Sequence, residues 1–140
     1  MNTPSNKNSK TPTRVLCVDD STDMTLMMQM LIDAESMMSC AGCLDSADHL
    51  VKTVGSLKPM VDIVVLDATM PGEDPLGEMS KLSARFPEVK TIVFSGHDDD
   101  EFVARVKALG GWGCVSKRDE PEVIVRAIRQ VATGNQWFPV

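Results

Sequence analysis

The chain has 140 residues, enough for one domain or for one domain with a short tail. With 43% hydrophobic and 24% charged residues it can bury one real core without help from disulfides or metals. Twenty acids against fourteen Lys and Arg give a formal net charge of -6, which argues against a chain built to grip nucleic acid by charge. Aromatic residues are scarce, with two Trp, four Phe and no Tyr, while Met is abundant at ten. The longest apolar runs have the length of strands, too short to span a membrane. No apolar segment follows the N-terminal lysines, so a signal peptide is absent and a cytoplasmic protein is expected. Cys17, Cys40, Cys43 and Cys114 each lie in or beside an apolar segment and read as reduced core thiols. Cys40-x-x-Cys43 has redox or metal spacing, but no second pair and no His partner follows it.

Residues 1–13 form a polar stretch of Asn, Ser, Thr, Lys and Pro, expected to be a disordered tail. Residues 14–18 read as a short strand ending abruptly at Asp19-Asp20. Ser21 or Thr22 can cap a first helix running to about Ala34. A weak second strand over 40–44 precedes a second helix over 45–56. The most strand-like run, 61–66, ends at Asp67, and Met70-Pro71-Gly72 then breaks the chain. A third helix over 76–85 stops before Pro87, and a fourth strand over 90–94 ends at Ser95-Gly96. Residues 98–109 carry acids in the first turn and a glycine after the last, as the helix dipole and a left-handed cap prefer. A fifth strand over 113–116 ends at Lys117, and a last helix over 121–133 has Pro in its first turn and Gly134 at its end.

Five strand–helix units in succession predict an α/β fold with a parallel sheet covered on both faces. The runs at 61–66 and 92–94 are apolar throughout, as such a buried parallel strand requires. In this architecture a site forms beyond the carboxyl ends of the strands. Four of the five strand ends carry polar groups there: Asp19 and Asp20, Asp67, Ser95 and Lys117. Three carboxylates held close repel one another unless a cation is present. Their hard oxygens suit Mg²⁺, and a carboxylate can act as a nucleophile and form an aspartyl-phosphate. A metal and Lys117 would neutralise charge on an incoming phosphoryl group, and the Ser95 hydroxyl could donate to it. Each of these residues taken alone has a bland reading as a cap, a turn or a solvated charge; the ordered set does not.

The set resembles the receiver domain of two-component response regulators. The resemblance runs over about residues 14–134 and rests on Val18-Asp19-Asp20, Val65-Leu66-Asp67-Ala68-Thr69-Met70-Pro71-Gly72, Ile92-Val93-Phe94-Ser95-Gly96 and Val115-Ser116-Lys117. It implies a flavodoxin-like (CheY-like) doubly wound fold with strand order 2-1-3-4-5. It also implies that Asp67 accepts phosphate from a sensor histidine kinase or phosphotransfer protein. Asp19, Asp20 and Asp67 would hold Mg²⁺ or Mn²⁺ with the backbone carbonyl of Thr69, Ser95 would be the switch residue and Lys117 the phosphate-contacting lysine. The segment 108–117 resembles the NarL/FixJ class, whose receivers are joined to a LuxR-type DNA-binding domain. Residues 135–140 then read as a C-terminal tail or the start of a linker. An isolated receiver of a longer regulator is the favoured reading and a stand-alone receiver the alternative, with no direct nucleic-acid or membrane binding by this chain. An aspartyl-nucleophile phosphatase is less well matched, because Thr69 stands where its general acid should be. A flavin-binding flavodoxin lacks its phosphate loop.

Three residues depart from the receiver pattern. Cys114 stands where the family usually has Tyr or Phe, which predicts a muted or rewired switch. Strand alternation would place Trp112 on the side of Cys114, where it is either a partial substitute or a surface-packing residue. Arg118 replaces a common Pro after the lysine, so a cis bond there is not expected. Pro75 should stiffen the entry to the third helix. His49 and His97 read as surface or turn residues. Met24, Met27, Met28, Leu31 and Ile32 fit a core stripe on the first helix, leaving Leu26 and Met30 off it, with Val125 off the stripe of the last helix. Such residues are common on surfaces, and a homodimer or docked domain through helices one and five is the sharper alternative.

Overall fold

Strands and helices alternate through the described part of the chain, residues 11–139 of a computed structural model. The elements are β1 (Thr13–Val18), α1 (Thr22–Asp33), β2 (Met38–Leu44), α2 (Leu50–Ser56), β3 (Ile63–Leu66), α3 (Pro75–Arg85), β4 (Lys90–Ser95), α4 (Asp100–Ala108), β5 (Gly113–Ser116) and α5 (Glu122–Ala132). The strands form one parallel sheet in the order β2-β1-β3-β4-β5, the expected topology. Most of the expected N-terminal tail, residues 1–10, lies outside the described residues, as does Val140.

Side-chain alternation divides the core into two layers. Leu16, Val18, Val64, Leu66, Val93 and Cys114 face α2, α3 and α4. Val15, Cys17, Ile63, Val65, Ile92, Phe94 and Val115 face α1 and α5. Every residue of β3 is buried, which is why that run carries no polar residue. Each such Val, Leu or Ile contributes roughly 1.5–3 kcal/mol of transfer free energy.

The starts of the second helix and of the second strand differ from expectation. The second helix begins at Leu50 rather than near Asp45. In the segment before it, the Ala47 N–H donates to Glu73 Oε1 at 2.7 Å, the Asp48 N–H donates to Ser46 Oγ at 3.0 Å, and His49 adopts a left-handed φ of 63°. These bonds hold the backbone away from helical geometry. The second strand starts at Met38 and carries a bulge: Val15 pairs with Cys40, but Leu16 already pairs with Gly42. As part of this edge strand Cys43 is exposed and Cys40 half-buried, so only Cys17 and Cys114 are core thiols; all four are free. Val125 is only 6% exposed rather than off the stripe, because α5 packs against β5, β4, β3 and α1 and so buries a broad face. Leu26 and Met30 do stand exposed on α1, at 53% and 66%.

Candidate functional site

The sheet continues to hold the main chain just past its strand ends. The Asp19 N–H donates to Leu44 O at 3.0 Å, the Asp67 N–H to Val18 O at 2.8 Å and the Lys117 N–H to Ser95 O at 2.9 Å. Residues far apart in sequence therefore converge on one edge. Asp19, Asp20 and Asp67 each present a carboxylate oxygen within 4.8 Å of the other two. Asp19 and Asp67 are nearly closed to solvent, at 1% and 3%, while Asp20 is exposed. Lys117 reaches into the group, its Nζ 2.8 Å from Asp19 Oδ2 and 3.5 Å from Asp67 Oδ2. That ammonium also lies 5.8 Å from the centre of the Phe94 ring.

The two oxygens of Asp67 are treated differently. Oδ1 accepts from the Thr69 N–H at 3.0 Å and from the Thr69 hydroxyl at 2.9 Å, while Oδ2 faces Lys117. Asp19 Oδ1 accepts from the Ser21 N–H at 2.9 Å. Burial holds the Asp19 carboxyl above the usual carboxylate range; the nearby Asp67 charge adds to this, and Lys117 and the Ser21 N–H oppose it. Ser95 is fully buried at the end of β4, and its Oγ accepts from the His97 N–H at 3.0 Å. A small cleft of about 260 Å³ lies against Asp19, Thr22, Thr25 and Asp45. A larger one of about 720 Å³ opens beside Thr69, between the turns that carry Pro75 and His97.

Three hard carboxylates around one point, two of them nearly dry, make a donor set that fits a divalent cation of the Mg²⁺ type. An ammonium beside the same point can stabilise further anionic oxygens. Asp19, Asp20, Asp67 and Lys117 come together here through their side chains, and Ser95 is tied to them by its carbonyl, which accepts from the Lys117 N–H. The Thr69 N–H bond to Asp67 is the turn an Asp commonly makes with the backbone two residues on, whereas the Thr69 hydroxyl bond to the same oxygen has no local signal. The Asp98–Arg118 ion pair at 2.6 Å, which links the turns after β4 and β5, had no local signal. The bond after Lys117 is trans, and Pro75 opens α3 behind its Asp74 cap.

The departures take a specific form. Cys114 is buried, and burial pushes its thiol up to about 11. Trp112 does not share its layer: it precedes β5, where strand alternation no longer applies, and packs with the α1–α5 layer beneath Lys90, whose Nζ lies 4.6 Å from the ring centre. The aromatic rings packed on the Cys114 layer are those of Phe86, Phe102 and, from beyond the last helix, Phe138.

A five-stranded parallel sheet with a strand-end cluster of acids and a lysine defines a receiver-type signalling fold. Residues 15–129 match the response regulator receiver domain, and the chain belongs to that family. It is 34% identical over 126 residues to the response regulator GacA of Pseudomonas aeruginosa, covering 89% of this chain and 58% of that protein. It is 28% identical over 123 residues to the nitrate/nitrite response regulator protein NarL of Escherichia coli, covering 88% and 56%. The chain thus spans little more than half the length of these relatives. Its fold is similar to that of a LuxR-family two-component response regulator from Aurantimonas sp. SI85-9A1, with a TM-score of 0.84 at 21% identity over 91% of this chain and 90% of that one. It is also similar to the isolated REC domain of RcsB from Salmonella enterica serovar Typhimurium, with a TM-score of 0.81 at 18% identity over 91% and 94%. Receivers are signalling modules that work with histidine kinases or phosphotransfer proteins and bind Mg²⁺ at an acidic pocket. Among the described residues no helix is long and apolar enough to cross a membrane.

Proposed function

We propose that residues 14–134 are a phosphoacceptor switch in which Asp67 takes a phosphoryl group from the phosphohistidine of a sensor kinase or phosphotransfer protein. The observation that carries this reading is the asymmetry at Asp67: Thr69 holds Oδ1 with two donors, and Oδ2 faces the Lys117 ammonium. In the transfer a carboxylate oxygen of Asp67 forms the new P–O bond and the donor's P–N bond breaks, its electron pair staying on the ring, which leaves as neutral imidazole because its other nitrogen carries a proton. Asp19, Asp20, Asp67 and the Thr69 carbonyl would hold Mg²⁺, which when bound neutralises charge on the phosphoryl oxygens. Lys117 is then freed from part of its pairing with Asp19 to meet one phosphoryl oxygen, and the buried Ser95 hydroxyl to meet another. Self-catalysed transfer and hydrolysis are the extent of the chemistry. A phosphatase reading is disfavoured because the Thr69 hydroxyl donates to Asp67 and is no general acid.

The switch would act in the cytoplasm, in a regulator with a LuxR-type DNA-binding output domain; the length of the curated relatives supports this over a stand-alone receiver. The exposed Leu26 and Met30 on α1 are where a homodimer through α1 and α5 would close, and concentration-dependent sedimentation of the wild-type chain checks it. The phosphoacceptor is tested with acetyl phosphate and Mg²⁺, read by intact mass. Wild type should gain one phosphoryl group and Asp67→Asn none; undiminished labelling of Asp67→Asn would refute the assignment.

A further inference from the structure

β5 is an edge strand, and the chain covers that edge with its own C-terminal residues. After α5, Gly134 turns the main chain at a φ of 97°, and Trp137 forms a parallel bridge with Gly113. The Cys114 N–H donates to Trp137 O at 2.8 Å, and the Trp137 N–H donates to Trp112 O at 3.0 Å. Gly113 makes room for this approach, because a Cβ there would lie 3.1 Å from the Trp137 carbonyl oxygen. The two rings straddle the sheet edge. Trp137 packs on the α1–α5 layer, and Phe138 on the layer that contains Cys114, Val103 and Val106. Lys107 of α4 closes over Phe138, its Nζ 4.9 Å from the ring centre. A ring from the end of the chain thus lies on the α4–β5 surface, where Cys114 supplies none.

We propose that the segment Trp137–Phe138 is a strap that carries the phosphorylation state out of the domain: paired to β5 when Asp67 is free, and released when Asp67 is phosphorylated. This rests on the phosphoacceptor reading above. Phosphoryl oxygens draw on Lys117 and Ser95, and both act on β5: the Lys117 N–H is bonded to Ser95 O, and Ser95 is in register with Ser116. β5 has only four residues, so a shift at its carboxyl end reaches Cys114, whose N–H holds the strap. The strap is bound by two main-chain hydrogen bonds and two half-buried rings, much less than any neighbouring strand, so it is the element that opens first. Its release frees the β5 edge and removes the ring from the α4–β5 surface.

Amide hydrogen exchange of the wild-type chain, with Mg²⁺ alone and with Mg²⁺ plus beryllofluoride, tests this by NMR. The Cys114 and Trp137 amides should exchange at least tenfold faster with beryllofluoride, while the Val65 amide in β3 is unchanged. Shifted resonances around Asp67 with unaltered protection at Cys114 and Trp137 would overturn the strap and leave the phosphoacceptor reading intact. If no resonance near Asp67 shifts, the phosphoacceptor reading falls and the strap with it. In Phe138→Ala the same two amides should exchange quickly without beryllofluoride and gain little on its addition; wild-type protection in that variant would also overturn the proposal.

Discussion

At the ends of β1 and β3 the acidic side chains hang on main chain that the sheet itself holds: Asp67 N–H on Val18 O, Asp19 N–H on Leu44 O. At the β5 edge the covering residues come from beyond the last helix, through one bridge and two half-buried rings. The first region brings like charges together and relies on a rigid frame to keep them there. The second is lightly held, and a modest change in packing can alter it. On the proposed reading the two serve different ends: fixed geometry where the chemistry would occur, and low local stability where its result would be read.

Removing the ammonium that pairs with the acidic cluster should have the largest effect. Lys117→Met leaves Asp19 and Asp67 buried without their ammonium. The metal-free chain should lose about 2–3 kcal/mol, less than the full cost of breaking a buried pair because Lys117 is partly exposed. Mg²⁺ should restore part of this, and the rate of labelling by acetyl phosphate should fall at least tenfold. A melting temperature unchanged in EDTA would show that the frame does not depend on this pair.

Asp19→Asn should act in the opposite direction. The folded Asp19 carboxyl titrates above its unfolded value, so its ionisation opposes folding. The cost is absent when the group is protonated in both states. It grows as pH rises past the unfolded value and is complete above the folded one. Asp19→Asn should therefore raise the metal-free Tm at pH 7, and this gain should vanish as pH falls through the carboxylate range. Bound Mg²⁺ at 100 times its Kd should add about 2.7 kcal/mol to wild type and far less to the variant. Equal Mg²⁺ stabilisation of both chains would remove Asp19 from the metal set.

Gly113→Ala should have the smallest effect and fall on the other region. Its Cβ would meet the Trp137 carbonyl, so the strap must shift while the acidic cluster stays intact. A loss of about 1 kcal/mol is expected, in the range of mild overpacking, with labelling of Asp67 retained. If Gly113→Ala instead abolished labelling, the two regions would not be separable in the way their construction suggests.

The acidic site was legible because each of its residues ends a strand, and strand ends are visible as hydrophobic runs that stop at a charge. Val61–Leu66 followed by Asp67 needs no distant information to be read. The boundaries that shifted were those set by long-range bonds, as when Glu73 takes the Ala47 N–H and delays α2. Strand alternation predicts Trp112 on the layer of Cys114, but it lies outside β5 and packs in the other layer. Val125 lies off the sequence stripe of α5 yet is buried, because the surface under α5 is broader than one stripe.

By itself the sequence determined the order of elements, the parallel sheet and the convergence of Asp19, Asp20, Asp67, Ser95 and Lys117, because hydrophobic periodicity and strand ends are local properties. It also fixed the absence of tyrosine and the Cys at 114. Only the tertiary structure decided which oxygen of Asp67 faces Lys117, and that Phe138 packs on the Cys114 layer while Trp112 packs on the other. Both depend on contacts between segments far apart along the chain, which no local pattern records.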